Sequence, residues 1–350
     1  QYWQNRCCIF PLRRARSLVF YKRPRIRERN MGTATDTEIN FLHPGVSYSN
    51  VRSFDHEENT VYEFDNVRYA KTNEETRIRK LKGTYLPIVP TPHYFHFLKE
   101  YLGSFLYYRE HVDPNAKVLW INLHWEAQDY HDTHEPIQKT LDLLSEKNIP
   151  IVFLSIDSIF NNNIEFEKVA VIYDTATFFV STEFPYFDQF KHTNNEQVRD
   201  FFKDFMLKDT AYPKKVYVSR RSVSKYLDNH DMKNHISRYN EKHVEDALED
   251  FFVQKGYHVI DFSGMPIQEQ IMYMYNATHV SGLMGANTWN GIFCDNGVKH
   301  YCLQTHMWFN HEYDKDSEKV IDFEYQLVKI HNLESYESVF KDLSDQIVDA

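Results

Sequence analysis

Glycine and cysteine are scarce in this chain, and long apolar stretches are absent from it. Only 10 of the 350 residues are glycine, so a glycine inside a motif is more informative than usual. The four cysteines, Cys7, Cys8, Cys294 and Cys302, have no metal-site spacing and are too few for a disulfide scaffold, which predicts a reducing compartment. No apolar run approaches the ~18–20 residues that span a bilayer, and no signal-peptide pattern is recognised. We therefore predict no stable membrane span.

Positive charge is concentrated at one end of the sequence. Residues 1–30 hold nine Lys/Arg and one acidic residue, whereas the remainder carries 31 basic and 49 acidic residues. The chain after residue 30 is therefore strongly acidic, which is not typical of a nucleic-acid-binding protein. We predict no nucleic-acid partner. The basic segment has two interpretations, a contact with a membrane or RNA, or a leader outside the fold. We favour a disordered or spurious leader over residues 1–40, because Met31 opens a more ordinary sequence.

The C-terminal half alternates between strand and helix patterns. Strands are predicted at 214–219, 257–262, 279–281 and 298–304, and helices at 240–255, 266–277 and 285–294. Gly256 marks the end of the first helix and Pro266 the start of the second. This order predicts a parallel sheet with helices on both faces.

The N-terminal half alternates less regularly. Helices are predicted at 94–110, 136–147 and 195–206, and strands at 116–123, 149–155 and 169–173. A chain of 350 residues is long for one core, so we predict an N-terminal domain over 41–207 and a C-terminal domain over 208–350. The predicted class is α/β, with two Rossmann-like doubly wound domains facing a central cleft.

Candidate binding residues follow the predicted strands of the C-terminal half. Ser219-Arg220-Arg221 directly follows one strand, Glu269 and Gln270 lie one turn into the next helix, and Gly282-x-x-Gly285 follows the third strand. Arginine forms paired bonds with phosphate oxygens, and a glycine turn lets backbone N–H groups approach an anion. Together these segments predict a diphosphate site at one sheet edge. The alternative is a solvated basic pair and an ordinary strand-to-helix turn.

A polar stripe on the predicted helix at 94–110 suggests a general base. At ~100° per residue, His93, His96, Glu100 and Ser104 fall on one narrow face. A carboxylate four residues from a histidine can orient the imidazole and raise its basicity. We therefore predict His96, oriented by Glu100, as the base, with a hydrogen-bonded surface stripe as the alternative.

Two other segments contain residue types that bind metals. Asp129, His131 and His134 match no zinc-site spacing, and Asp314-Lys-Asp316 lies in an acidic stretch. We interpret both as polar loops and predict that neither a metal nor a cofactor is required.

Taken in order, the motifs resemble those of glycosyltransferase family 61. The resemblance extends over roughly residues 85–305 and rests on His96-Phe-Leu-Lys-Glu100, Ser219-Arg220, Arg238 with Asn240-Glu241, Glu269-Gln270, and Gly282-Leu-Met-Gly-Ala286 with Asn290. It implies a GT-B fold, a nucleotide-sugar donor, inversion at the anomeric carbon and usually no metal. Family members are hexosyl- or pentosyltransferases that modify glycans or proteins.

The resemblance also implies which residues bind the donor. They are Ser219, Arg220, Arg238, Glu269, Gln270, Gly282, Gly285, Ala286, Asn287 and Asn290. We expect a UDP-sugar donor and a hydroxyl of a glycan or glycoprotein as acceptor, the latter bound by the N-terminal domain. As the location we favour the cytoplasm of a bacterium or of a viral host.

The sequence departs from the family pattern at two positions. Met284 stands where the family has histidine between the two glycines, and Asn240 falls closer to Arg238 than the pattern predicts. Methionine packs well but has no hydrogen to donate to a phosphate or a sugar hydroxyl. An inactive nucleotide- or glycan-binding relative is therefore the alternative function. A Rossmann dehydrogenase is disfavoured, because no G-x-G-x-x-G turn follows a strand near the start of either half.

Overall fold

The structure is a computed structural model that describes residues 46–47, 49–56, 59–69, 79–88, 97–122, 131–155, 164–174, 179–180, 185–186, 195–221, 242–285, 290–305 and 321–347. These residues divide into two compact units. The first takes in the described residues up to 122 and those from 140 to 186, and the second takes in 131–139 and those from 195 onward. The predicted domain boundary after residue 207 stays a prediction.

The first unit contains a mixed sheet, with three parallel and three antiparallel pairings among its described strands. Its elements are β1 (Val46–Ser47), β2 (Asn50–His56), β3 (Asn59–Tyr69), β4 (Arg79–Ile88), a π-helical turn (Phe97–Leu102), α1 (Gly103–His111), β5 (Lys117–Asn122), the second half of α2 (His131–Glu146), β6 (Ile151–Ser155) and β7 (Ile164–Asp174). Two short strands, β8 (Phe179–Val180) and β9 (Pro185–Tyr186), pair with each other.

The parallel part of this sheet has the strand order β6-β5-β4-β7. Numbered along the chain, these strands read 3-2-1-4, which is the order of the first four strands of a dinucleotide-binding fold. β3 then pairs antiparallel with β7, and β1 and β2 both pair antiparallel with β3. The sequence analysis missed β1 to β4. In β4 the reason is physical: its first half is charged and exposed, and Gly83, with φ +93°, lies where the register with β7 shifts.

A buried carboxylate joins the elements of the first unit. Glu63 on β3 accepts hydrogen bonds from Tyr108 Oη at 2.5 Å, Arg52 Nη2 at 2.9 Å and Lys168 Nζ at 3.1 Å. Burial, and then the hydrogen bond to Glu63, raise the pKa of Tyr108 far above its ordinary value. The carboxylate is thus satisfied by α1, β2 and β7, which stabilises their packing.

The second unit contains a parallel sheet throughout its described strands. Its elements are α3 (Asn195–Phe201), a 3-10 turn (Lys203–Phe205), β10 (Lys215–Ser219), α4 (Lys242–Gln254), β11 (His258–Asp261), α5 (Ile267–Asn276), β12 (His279–Leu283), a 3-10 helix (Asn290–Phe293), β13 (Val298–Thr305), β14 (Phe323–Ile330) and α6 (Tyr336–Gln346). The predicted α/β class is therefore confirmed, with one parallel sheet and one mixed sheet, each compatible with a Rossmann-like fold.

The strand order of this second sheet is β11-β10-β12-β13-β14. Along the chain it reads 2-1-3-4-5, a doubly wound order in which the direction of winding reverses between β10 and β12. In open α/β sheets, ligands bind outside the carboxyl ends of the strands at such a reversal. The topology therefore singles out the ends of β10 and β12.

Several predicted elements differ from the observed ones in their bounds or their type. β12 continues to Leu283, so Gly282 lies within the strand and not in a turn. The part of the predicted helix 285–294 that the structure describes contains a 3-10 helix at Asn290–Phe293. α2 begins at His131. The prediction of a polar loop that extends through His134 was therefore wrong for residues 131–134. Pro136 lies inside this helix, where a proline removes an intrahelical hydrogen bond.

The core of the second unit forms where α4 packs on the sheet. The residues predicted for its apolar face, Val244, Ala247, Leu248, Phe251 and Phe252, are all buried. Phe252 stacks on Tyr217 of β10 with ring centroids 4.8 Å apart, and Phe251 meets Phe340 of α6 edge-on at 5.4 Å. Among the helices that the structure describes, none has both the length and the apolarity needed to cross a membrane.

α4 ends at the glycine that the sequence predicted. Gly256 has φ +80°, its N–H donates to Val253 O, and Tyr257 N–H donates to Phe252 O. The rings of Phe252 and Tyr257 meet edge-on at 4.9 Å. These are the two hydrogen bonds and the apolar contact of a Schellman motif, which places the chain at the start of β11.

We predict that Gly256→Ala lowers the free energy of unfolding by about 1 kcal/mol, because an L-residue with a Cβ is strained at positive φ. A Cβ at this position would have no atom within 4 Å, so the loss comes from the backbone and not from a clash. Gly256→Asn should lose less, since asparagine tolerates this conformation. Urea denaturation measures both variants, and equal stability of Gly256→Ala and the unmodified chain would contradict the assignment.

Candidate functional site

Two of the predicted binding segments leave the second sheet side by side. β10 and β12 pair in parallel with Val218 opposite Gly282, and the strands end at Ser219 and Leu283. Arg220 and Met284 are thus the first residues beyond adjacent strand ends, at the place where the winding reverses. Val218 and Gly282 lie 64 residues apart in sequence, and the strand register brings their segments together at one edge of the sheet.

The turn after β10 is held by residues in the first half of α4. Ser219 is buried, and its Oγ lies 2.6 Å from Glu249 Oε1 and 3.0 Å from Glu245 Oε1. The backbone N–H of Arg220 donates to Glu245 Oε1 at 3.0 Å, and that of Arg221 donates to Ser219 Oγ at 3.1 Å. The conformation of this turn is therefore set by hydrogen bonds that are buried or partly buried.

The Arg221 side chain forms ion pairs with α4. Its Nη2 lies 2.6 Å from Glu249 Oε2 and its Nη1 lies 2.8 Å from Asp246 Oδ1. The hydrogen bond with Glu249 raises the pKa of Arg221 well above its ordinary value. Lys242 and then Arg221 lower the pKa of Asp246. The charge of Arg221 is therefore compensated within the protein.

The turn after β12 combines an unusual backbone with a buried side chain. The N–H of Met284 donates to Leu303 O at 2.8 Å, and Gly285 has φ +153°, which favours glycine. Met284 is 3% exposed, and its sulfur accepts a hydrogen bond from Gln304 Nε2 at 3.2 Å. The side chain at 284 thus packs against β13, while the backbone forms the turn.

Gln270 and Asn290 connect two further segments at this edge. Gln270 Nε2 donates to Met265 O at 2.8 Å and to Phe262 O at 3.3 Å, and its Oε1 accepts from Asn290 Nδ2 at 3.1 Å. These bonds fix the loop after β11 and the first residue of the 3-10 helix. Among the groups that the structure describes, Asn290 Oδ1 is buried without a hydrogen-bond partner.

Arg199 holds the other end of the 3-10 helix. Its Nη1 donates to Cys294 O at 2.7 Å and also to Ile292 O. Burial lowers the pKa of Arg199 from its ordinary value. This cation satisfies two carbonyl groups that a helix end leaves without intrahelical partners.

Comparison with known proteins gives one result that decides the family. The family model described as glycosyltransferase 61 matches residues 94–301, which is more than half of the chain. This chain belongs to glycosyltransferase family 61. The resemblance found in the sequence is thereby confirmed. A search of curated proteins found no match.

The family 61 match covers every predicted site residue, but the structure describes only some of them. His96, Arg238, Ala286 and Asn287 lie outside the described residues, as do Asn240 and Glu241. The backbone of Glu100 lies in the π-helical turn Phe97–Leu102, and its side chain is outside the described part. The assignment of His96 and Glu100 as base and orienting residue therefore stays a prediction.

Glu269 differs in environment from the other family 61 motif residues. Burial raises the pKa of Tyr212, and the charge of Glu269 is the next cause. Its carboxylate therefore lies near a tyrosine that precedes β10. A donor contact for Glu269 stays a prediction. Within the described ranges, no group of three or more His, Cys, Asp or Glu side chains is placed to hold a metal ion.

The sequence analysis of this family 61 chain missed the acidic residues of α4. Glu245 and Glu249 lie four residues apart, and on a helical projection Glu245 borders the apolar face formed by Leu248 and Phe252. The sequence did contain a signal for Glu245, because an acidic residue borders an apolar stripe on the helix that follows Ser-Arg-Arg. The atoms that Glu245 binds depend on the tertiary structure and could not be predicted.

A buried histidine in β13 lies under the 3-10 helix. His300 is 3% exposed, and a Cβ added at Gly291 would lie 3.5 Å from its ring. Its ring meets Tyr325 edge-on at 5.7 Å. Burial lowers the pKa of His300 to about 4. The histidine is therefore neutral in the folded protein at neutral pH.

We predict that His300 makes the fold sensitive to acid. Between its unfolded pKa of about 6.5 and its folded pKa of about 4, the unfolded chain binds a proton that the folded chain does not. As the pH falls from about 6.5 to about 4, the free energy of unfolding should decrease by about 3 kcal/mol. Below about pH 4 His300 should cause no further decrease. His300→Phe should remove that loss, which urea denaturation at several pH values measures. An unchanged difference between the two proteins from pH 7 to pH 4 would contradict the prediction.

Proposed function

We propose that this protein is an inverting glycosyltransferase that moves a sugar from a nucleotide-sugar donor, with UDP as the favoured nucleotide, to a hydroxyl of a glycan or glycoprotein. The observation that carries the proposal is the meeting of an arginine turn and a glycine turn at the winding reversal of a parallel sheet in a family 61 member. The GT-B arrangement and the hexosyl or pentosyl identity of the sugar belong to the proposal as predictions.

The donor diphosphate is assigned to the ends of β10 and β12. As the bond between the anomeric carbon and the diphosphate oxygen breaks, negative charge grows on the leaving group. Arg220 supplies a planar guanidinium that forms paired, charge-assisted hydrogen bonds to phosphate oxygens. The N–H groups of residues 285–287 are predicted to add further donors, because donors held in place before the reaction stabilise developing charge most strongly. The proposal gives a metal ion no role in this step.

The acceptor side of the reaction needs a base. The acceptor hydroxyl oxygen attacks the anomeric carbon from the face opposite the diphosphate, which inverts that centre. Its proton passes to the imidazole of His96, oriented by Glu100, because an imidazole titrates near the working pH. One bond from carbon to oxygen forms, another breaks, and the nucleoside diphosphate leaves with the electron pair.

An inactive relative that binds a nucleotide or glycan is the second candidate. Met284 favours it, because a side chain without a hydrogen-bond donor stands where the family has histidine. The observed environment of Met284 weakens the argument, since the side chain is buried against Gln304 and the backbone donors do not depend on it. Incubation with UDP-sugars separates the candidates, because a transferase releases UDP and a binder does not.

We predict that Arg220→Ala weakens UDP binding by about 10- to 100-fold, the loss expected for a hydrogen bond to a charged group. Transfer should fall at least as far. Arg221→Ala is the matched control, because its charge is already compensated by Glu249 and Asp246, and it should lower thermal stability more than UDP affinity. Isothermal titration and thermal unfolding measure the two effects. Unchanged UDP affinity and turnover in Arg220→Ala would refute the donor assignment.

A further inference from the structure

The carboxyl group of Glu245 is buried directly beneath the turn that follows β10. It is 5% exposed and lies in the first turn of α4. Its Oε1 accepts hydrogen bonds from Arg220 N at 3.0 Å and Tyr217 Oη at 3.3 Å. Ser219 Oγ also lies 3.0 Å from this oxygen, and its single hydrogen is shared with Glu249 Oε1 at 2.6 Å. Burying a carboxyl group is unfavourable unless such bonds compensate it. Its Oε2 is buried without a hydrogen-bond partner among the described groups, so the contacts of this carboxyl group are those at Oε1.

Glu245 binds the main chain of the turn after β10. Its bond to Arg220 uses the backbone N–H, so it fixes the direction of the chain at the point where β10 ends. The neighbouring Arg221 is held differently, through its guanidinium, by Glu249 and Asp246. α4 thus contacts consecutive arginines in two ways, one through the backbone and the other through the side-chain charge.

We propose that Glu245 is a positioning residue of the donor site, which sets the direction in which the Arg220 guanidinium leaves the end of β10. The inference rests on the proposed function, in which Arg220 binds the donor diphosphate. A guanidinium stands several bonds from its backbone, so a small rotation of the turn displaces it by enough to weaken a paired contact. Glu245 itself contacts neither the sugar nor the diphosphate in this account.

Three substitutions of Glu245 separate positioning from general stability. Glu245→Gln keeps an oxygen that accepts from Arg220 N–H, so UDP affinity should stay within about threefold of the unmodified chain. Glu245→Asp keeps the charge but withdraws the acceptor by one methylene, and Glu245→Ala removes it. Both should weaken UDP binding by at least about tenfold. If Glu245→Ala does not fold, the order of Gln above Asp still tests the inference.

A stability control lies far from this turn. Gln346 of α6 pairs its side-chain amide with the backbone of Lys329 on the edge strand β14. Gln346→Ala should lower the melting temperature without changing UDP affinity. If UDP affinity instead follows melting temperature across Gln346→Ala and the Glu245 variants, the positioning role is wrong.

A double-mutant cycle tests whether Glu245 acts through Arg220. UDP affinity is measured by isothermal titration for Glu245→Ala, Arg220→Ala and the double variant, with Glu245→Asp in place of Ala if needed. We expect the effect at 245 to vanish once Arg220 is alanine, because contacts in one pathway are not additive. Additive losses in a chain that binds UDP would overturn this inference alone. No UDP binding by the unmodified chain would overturn the proposed function together with it.

Discussion

The parallel pairing of β10 with β12 is the constraint on which the candidate site depends. Val218 lies opposite Gly282, so the strands end together and deliver Arg220 and Met284 to one edge. Neither segment is specific alone, since glycine turns and arginine pairs are common at strand ends. Their meeting at the reversal of a 2-1-3-4-5 sheet gives them a shared location at which this fold class binds ligands.

The helix that follows β10 gives this edge its electrostatic character. Glu245, Asp246 and Glu249 place three carboxylates against a turn that carries two arginines. Without them, the buried Ser219 hydroxyl and the N–H of Arg220 would lack the acceptors they use. An acidic helix beside a proposed diphosphate site is unexpected on charge alone. It is understandable if two of the acidic residues compensate Arg221 and the third orders the backbone that carries Arg220.

Periodicity in the sequence located most elements of the second unit, because an apolar face must be buried whatever its partner. The glycine after the apolar pattern located the end of α4, since Gly256 adopts a positive φ that other residues avoid. The lateral order of the strands was not predictable, because alternation along the chain does not say on which side of β10 each later strand lies. β14 was missed although Phe323, Tyr325 and Leu327 alternate with Glu324 and Gln326, which is the pattern of a half-buried strand.

The meeting of the two segments was predictable from the sequence, whereas their contacts were not. Ser-Arg after one strand and a pair of glycines at the end of another are local signals, and the parallel pairing of β10 with β12 brings both segments to one edge of the sheet. Glu245 was missed because its role depends on where α4 packs, which a single sequence does not specify. Gly282 was placed in a turn because glycine ordinarily breaks a strand, whereas here it lies between Val218 and Cys302 in the middle of the sheet.

The position of Met284 also bears on whether the chain is active. Its side chain is buried and bonded to Gln304, while the turn itself is made by the main chain and by Gly285.

A crystal structure of the protein with UDP bound tests the central claim most directly. We predict the diphosphate at the ends of β10 and β12, within hydrogen-bond distance of the Arg220 guanidinium. A diphosphate bound elsewhere, with Arg220 making no contact to it, would contradict the donor site proposed for this edge.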